Sequence, residues 1–97
     1  MITINFFTIL RLMLKVGEIH IDSIQESPIL DILQKAEDIV FEKTSKKFLS
    51  KLLDEQGNIK RGTLVLINGR NILDTEGLET IVRDGDTVAL FPPGGGG

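Results

Sequence analysis

The sequence predicts an α+β domain in which one main helix lies across one face of a β-sheet. Three observations carry that expectation. The first is an alternating apolar run at each end of the chain, 2–7 and 87–91, with the two-residue period of half-buried strands. The second is an apolar stripe at helical spacing through Ile29, Ile32, Leu33, Ala36, Ile39 and Val40. The third is turn chemistry placed between these segments, above all Asn68-Gly69 and Asp84-Gly85-Asp86.

The elements follow in order. In residues 2–12, Ile2, Ile4 and Phe6 alternate with Thr3, Asn5 and Phe7, which predicts a first strand with Phe7 and Ile9 on its outer side. Gly17 follows, and Glu18 to Asp22 alternate again, so the two runs predict a hairpin. Ser27-Pro28 reads as a helix start, with Ser capping free N–H groups and Pro at the first helical position. Phe48, Leu49, Leu52 and Leu53 continue a helical pattern as a second short helix, capped by Thr44 or Ser45 and ended by Gly57-Asn58. Residues 63–67 form a β-rich run closed by Asn68-Gly69, with a short strand near Asn71-Ile72. Leu78 to Val82 are expected to make one helical turn, Asp84-Gly85-Asp86 a tight turn, and Thr87 to Phe91 the last strand. The order is β-β-α-β-β with extra short helices.

Composition narrows the function classes. Ninety-seven residues suit one domain with a single core. A net charge of −3 argues against nucleic acid, whose binding is driven by clustered Lys and Arg. The densest basic cluster, Lys43, Lys46, Lys47 and Lys51, is read as a solvated helix face. There is no cysteine, so disulfides, thiolate metal sites and a Cys nucleophile are excluded. The one histidine, His20, is expected on the surface and leaves no His-pair metal site. The apolar N-terminal stretch is interrupted by Asn5, Arg11 and Lys15 and is too short to span a bilayer, so no membrane is expected and a cytoplasmic protein is.

The informative segment is the last one. Pro92 and Pro93 cannot donate to a sheet ladder and favour extended geometry, so the chain is expected to leave the domain there as an arm. The domain is therefore expected over 1–91 and a flexible glycine tail over 92–97. Gly94, Gly95, Gly96 and Gly97 have no Cβ, so the arm can thread a channel too narrow for other residues. Its one reactive group is the carboxylate of Gly97. Such a group becomes reactive as an acyl-adenylate: a sulfur donor then yields a thiocarboxylate, a lysine an isopeptide bond. The plain alternative is an inert glycine tail. Asp84 and Asp86 are read as turn formers and not as a paired-carboxylate catalyst. If Val65, Ile67, Val88 and Leu90 face the core, Leu64, Leu66, Ala89 and Phe91 face outward. The wet face would then be apolar where a one-sided sheet should be polar. Coverage by a partner, by the chain's own helices or by a second copy each accounts for that.

Asn68-Gly69-Arg70, Leu78, the run from Asp84 to Pro93 and the closing Gly96-Gly97 resemble the MoaD proteins of the MoaD/ThiS sulfur-carrier family. Ile4-Asn5-Phe6-Phe7, with Arg11 after it, is similar to that family's first strand. The likeness is weakest over residues 23–60. It implies a ubiquitin-like β-grasp fold, a mixed sheet of four to five strands on one main helix. It also implies a carrier that is not itself an enzyme, with no bound cofactor or metal. Gly97 would be adenylated with ATP by a MoeB-like, ubiquitin-activating-type adenylyltransferase. A sulfur donor would then make the thiocarboxylate, and a MoaE-like large subunit would receive the sulfur for molybdopterin or tungstopterin. Phe7, Arg11 and Phe91 match the family's partner-contacting positions, with Leu64 and Leu66 beside them on the same face. The family commonly has one or two other residues where Gly94 and Gly95 stand, which leaves open thiamine, tRNA thiolation, or conjugation to lysines as a protein modifier.

Overall fold

The computed structural model describes residues 1–22 and 25–94. The strands are β1 (Ile2–Phe6), β2 (Glu18–Ile21), β3 (Ser27–Pro28), β4 (Leu64–Ile67), β5 (Arg70–Asn71), β6 (Ile81–Val82) and β7 (Thr87–Phe91). The helices are α1 (Thr8–Leu14) and α2 (Ile29–Thr44), with short 3-10 turns at Leu49–Lys51, Ile72–Asp74 and Gly77–Glu79. Five strands form one sheet in the order β2-β1-β7-β4-β5. The centre is parallel, with Ile4 opposite Val88 and Phe6 opposite Leu90, while β2 and β4 pair antiparallel on either side. This mixed sheet with α2 across one face is the expected β-grasp arrangement.

Alternation decides which side of each strand is buried. Ile2, Ile4, Phe6, Ile19, Ile21, Val65, Val88 and Leu90 point to the core, where they meet Ile29, Ile32, Leu33, Ala36 and Val40 of α2. Each such side chain contributes about 1.5–3 kcal/mol by leaving water. Phe6 and Phe48 close the upper end of the core with their rings edge-to-face, centroids 5.1 Å apart. Asn68 and Gly69 both take positive φ, as a two-residue hairpin turn of the primed kind requires. The Asp84–Asp86 turn is structural, as read. Asp86 accepts the Arg83 N–H at 2.8 Å and the Asn68 amide at 2.9 Å, and Asp84 pairs with the amino group of Met1.

Several expectations are corrected. The first strand ends at Phe6, because Thr8 adopts φ +53° and the chain turns into α1, which returns to β2 after a left-handed Lys15. The hairpin pairing is real, but a helix connects its strands. Ile9 and Arg11 therefore belong to α1 and not to a sheet face. Ser27 does not cap α2: its hydroxyl goes to the Gln25 carbonyl, Pro28 stands at the cap, and Ser27–Pro28 pair with Val82 and Ile81. Leu78 to Val82 do not form a helical turn. The turn is Gly77–Glu79, and Ile81–Val82 are strand β6.

The second short helix is a 3-10 turn, and neither Thr44 nor Ser45 caps it. Thr44 ends α2 and Ser45 is its left-handed C-cap. The capping group is Glu37, whose Oε2 accepts the N–H of Phe48 at 3.0 Å and of Leu49 at 2.9 Å. The basic cluster is thus not one helix face. Lys43 lies in the last turn of α2, Lys46 and Lys47 in the loop, and Lys51 in the 3-10 turn, all exposed. Glu37→Ala strands two N–H groups beside the buried Phe48, so unfolding should lose about 1–3 kcal/mol. Glu37→Gln, which keeps one acceptor oxygen, should lose less; equal midpoints for all three chains in urea would show that the cap carries no stability.

Candidate functional site

β7 is the central strand of the sheet, and its two sides do different things. Val88 and Leu90 are buried in the core, whereas Ala89 and Phe91 lie half-buried on the opposite face. The register sets Leu66 beside Ala89 and Leu64 beside Phe91, so β4 extends the same face. Leu64 is 42% exposed. Towards the β2 edge the face turns polar, through Thr3 and Asn5, then His20 and Glu18. His20 is on the surface, its Nε2 2.8 Å from Glu18 Oε2.

Phe7 joins this face from the end of β1. Its N–H donates to the Leu90 carbonyl at 3.1 Å, and its backbone stays extended before the reversal at Thr8. Its ring stacks on Phe91, centroids 4.5 Å apart and planes 8° apart. The two aromatics expected on the outer face are thus one stacked unit. Four of the five expected contact residues (Phe7, Leu64, Leu66 and Phe91) share this apolar surface. The fifth, Arg11, is exposed on α1 with its guanidinium beside Gly17, where a Cβ would meet it at 3.3 Å.

The C-terminal segment leaves from the same strand. Pro92 is buried and Pro93 half-buried, so the body continues past Phe91 through Pro92. Pro93 lies over the turn at Lys60–Thr63: a Cβ on Gly62 would meet the Pro93 Cβ at 3.6 Å. Gly62 sits at φ +89°, where other residues are strained. Gly94 is exposed, with open space around it. Gly95, Gly96 and Gly97 lie outside the described residues, as does the expected flexibility of the tail. The site is therefore an apolar platform with a slim segment rising from its central strand. Sequence reasoning missed the Gly62 turn, for which it had no signal, since the contact joins positions 31 residues apart.

No helix among the described residues is long and apolar enough to cross a membrane. The sequence matches the ThiS family over residues 6–97. It is similar to a protein of Archaeoglobus fulgidus named as a sulfur carrier, 43% identical over 51 residues, covering 53% of this chain and 58% of the relative. It is also similar to small archaeal modifier protein 3 of Haloferax volcanii, 44% identical over 45 residues, covering 46% and 49%. The matches thus span only about half the length of these relatives. Among solved structures, the fold matches a chain of the BexX/CysO complex of Amycolatopsis orientalis with a TM-score of 0.74 and 26% identity, covering 100% of both chains.

The ring stack makes a measurable prediction. A double-mutant cycle with Phe7→Leu and Phe91→Leu should give a coupling of about 0.5–1.5 kcal/mol in unfolding free energy. Additive single changes would mean that the rings touch without stabilising one another.

Proposed function

This chain belongs to the ThiS family of ubiquitin-like sulfur carriers and modifiers, and on that premise we propose that it carries sulfur on the carboxyl group of Gly97. The observation that carries the proposal is that β7, which gives Ala89 and Phe91 to the apolar platform, also leads into the glycines. A partner docked on Phe7, Leu64, Leu66 and Phe91 would meet that segment beside them, with no side chain after Pro93 to block a narrow channel. Stacked, partly exposed aromatics are the kind of residue that dominates binding at such surfaces.

The chemistry proceeds in two balanced steps on the activating enzyme, a MoeB-like adenylyltransferase. A carboxylate oxygen of Gly97 attacks the α-phosphorus of ATP, and pyrophosphate leaves. A sulfur nucleophile then attacks the acyl carbon, and AMP leaves with the bonding pair, so that one oxygen is replaced by sulfur. This chain contributes reach and fit and acts as a co-substrate, not a catalyst. Each extended residue adds about 3.3–3.6 Å, so the glycines set how deep the acyl carbon lies in the partner. The recipient proposed is a pterin precursor of molybdopterin or tungstopterin, held by a MoaE-like large subunit, because Phe91-Pro92-Pro93 resembles MoaD. A second reading, conjugation to lysines, is favoured by the match to a small archaeal modifier protein.

With ATP, sulfide and the activating enzyme, the full chain should gain the mass difference between sulfur and oxygen. Lysine conjugates on other proteins in place of pterin sulfuration would favour the modifier reading. A chain lacking Gly96 and Gly97 should show no mass gain and an unchanged unfolding midpoint, because exposed glycine buries almost no apolar area. Displacing a reacting group by even about 1 Å can cost about 100-fold in rate. Undiminished thiocarboxylate formation by the truncated chain would refute the carrier reading. Phe91→Glu should stay folded and bind the activating enzyme at least about 2 kcal/mol more weakly; unchanged binding would remove the platform from the interface.

A further inference from the structure

The net charge of −3 conceals a segregation of charge along the sheet. The end from which the C-terminal segment leaves is built from α1, the loop after α2 and the Lys60–Thr63 turn, and it gathers cations. Arg11 lies over Gly17, and Lys46 Nζ reaches the Met13 carbonyl at the end of α1 at 2.8 Å. Lys47 sits 5.7 Å above the Phe41 ring, and Lys60 and Arg61 belong to the turn beneath Pro93. Cations outnumber carboxylates at that end: Lys15, Lys43 and Lys51 bring them to eight, against six. Glu18 is paired with His20, Glu37 caps the 3-10 turn, and Asp54 accepts the N–H groups of Gln56 and Asn58. Asp38, Glu42 and Glu55, all exposed, make up the six.

The opposite end is acidic. Asp84 and Asp86 occupy the turn before β7, Glu26 is joined to Arg83, and Glu76 and Glu79 lie in the segment beside Thr80, whose carbonyl accepts the N–H of Ile29 at the start of α2. The arrangement follows from topology: parallel β1 and β7 end together, so α1 and the departing segment share one pole, and the turn leading into β7 falls at the other.

We propose that this basic pole is a steering surface for a partner protein whose channel mouth is acidic, and that it orients the chain so that the glycines arrive first. The inference rests on the carrier reading above. The turn carrying Lys60 and Arg61 lies beneath Pro93 at the exit and leads directly into Leu64 of the apolar platform, so a protein with a carboxylate-rimmed entrance meets charge and apolar surface together. Nucleic acid would match only the charge. Opposed fields of this kind raise association rates by about 10- to 1,000-fold and are screened over about 10 Å at 0.1 M salt.

The test compares Lys60→Glu/Arg61→Glu with Lys35→Glu/Arg70→Glu, a pair with the same change in net charge placed away from the pole. Stopped-flow association of each full-length chain with the adenylating enzyme that activates the wild type is followed against salt. The first pair should slow association about tenfold or more and flatten its salt dependence, while the second changes it less than about twofold. Equal slowing by both pairs, or by neither, would overturn steering while leaving the carrier reading intact, because thiocarboxylate formation by the wild type is read separately from its mass gain. A wild-type chain that acquires no thiocarboxylate overturns the carrier reading and this inference with it. Salt-sensitive binding of bulk tRNA by the wild type, lost in the first pair, would assign the pole to nucleic acid and also overturn the proposal.

Discussion

The parallel pairing of β1 with β7 is the constraint on which the remaining geometry depends. Phe6 opposite Leu90 brings the ends of two strands, far apart in sequence, to the same edge of the molecule. Whatever follows each strand must then begin side by side. After β1 come Phe7 and α1, and after β7 come Phe91 and the prolines, so the aromatic stack and the exit of the C-terminal segment are products of one register. A parallel pair cannot be closed by a short turn. The long connection through α2 supplies the crossover, and α2 covers the buried face on the way.

β7 is buried on one side by α2 and flanked on both edges by other strands, and this central position makes it a firm base. Its inward residues, Val88 and Leu90, are fully buried, while Ala89 and Phe91 build the platform one residue out of phase. Strand alternation therefore divides a single five-residue element between the core and an apolar outer face. The division continues past the strand. Pro92 is held in the body and Pro93 rests on the Gly62 turn, so the direction of exit is set by packing up to the last proline.

Polar groups do their structural work at short range. Asn68 and Asp86 tie two turns together at the acidic end, and Glu37 replaces a conventional cap where the chain leaves α2. Around the exit, Lys46 reaches the Met13 carbonyl, Lys47 lies over Phe41 and Arg11 lies beside Gly17. The excess of cations is concentrated at the pole from which the C-terminal segment leaves.

Much of this was legible in the amino-acid sequence. The period of two in 2–6 and 87–91, the helical stripe of α2, the hairpin at Asn68-Gly69 and the Pro-Pro-Gly ending are local patterns whose meaning is set by backbone sterics and burial. From them followed the α+β class, the inward set Ile2, Ile4, Phe6, Val88 and Leu90, and the outward set Leu64, Leu66 and Phe91. The tertiary structure alone decided the rest. Residues 8–14 hold β-branched and apolar residues that also suit a strand, and only the reversal at Thr8 and the burial of Leu10 and Leu14 make them a helix. The parallel partner of β1, the stacking of Phe7 on Phe91, the cap from Glu37 and the gathering of cations at one pole join residues distant in the chain. Local propensity carries no term for such contacts. They come into being only when burial and register bring the segments together.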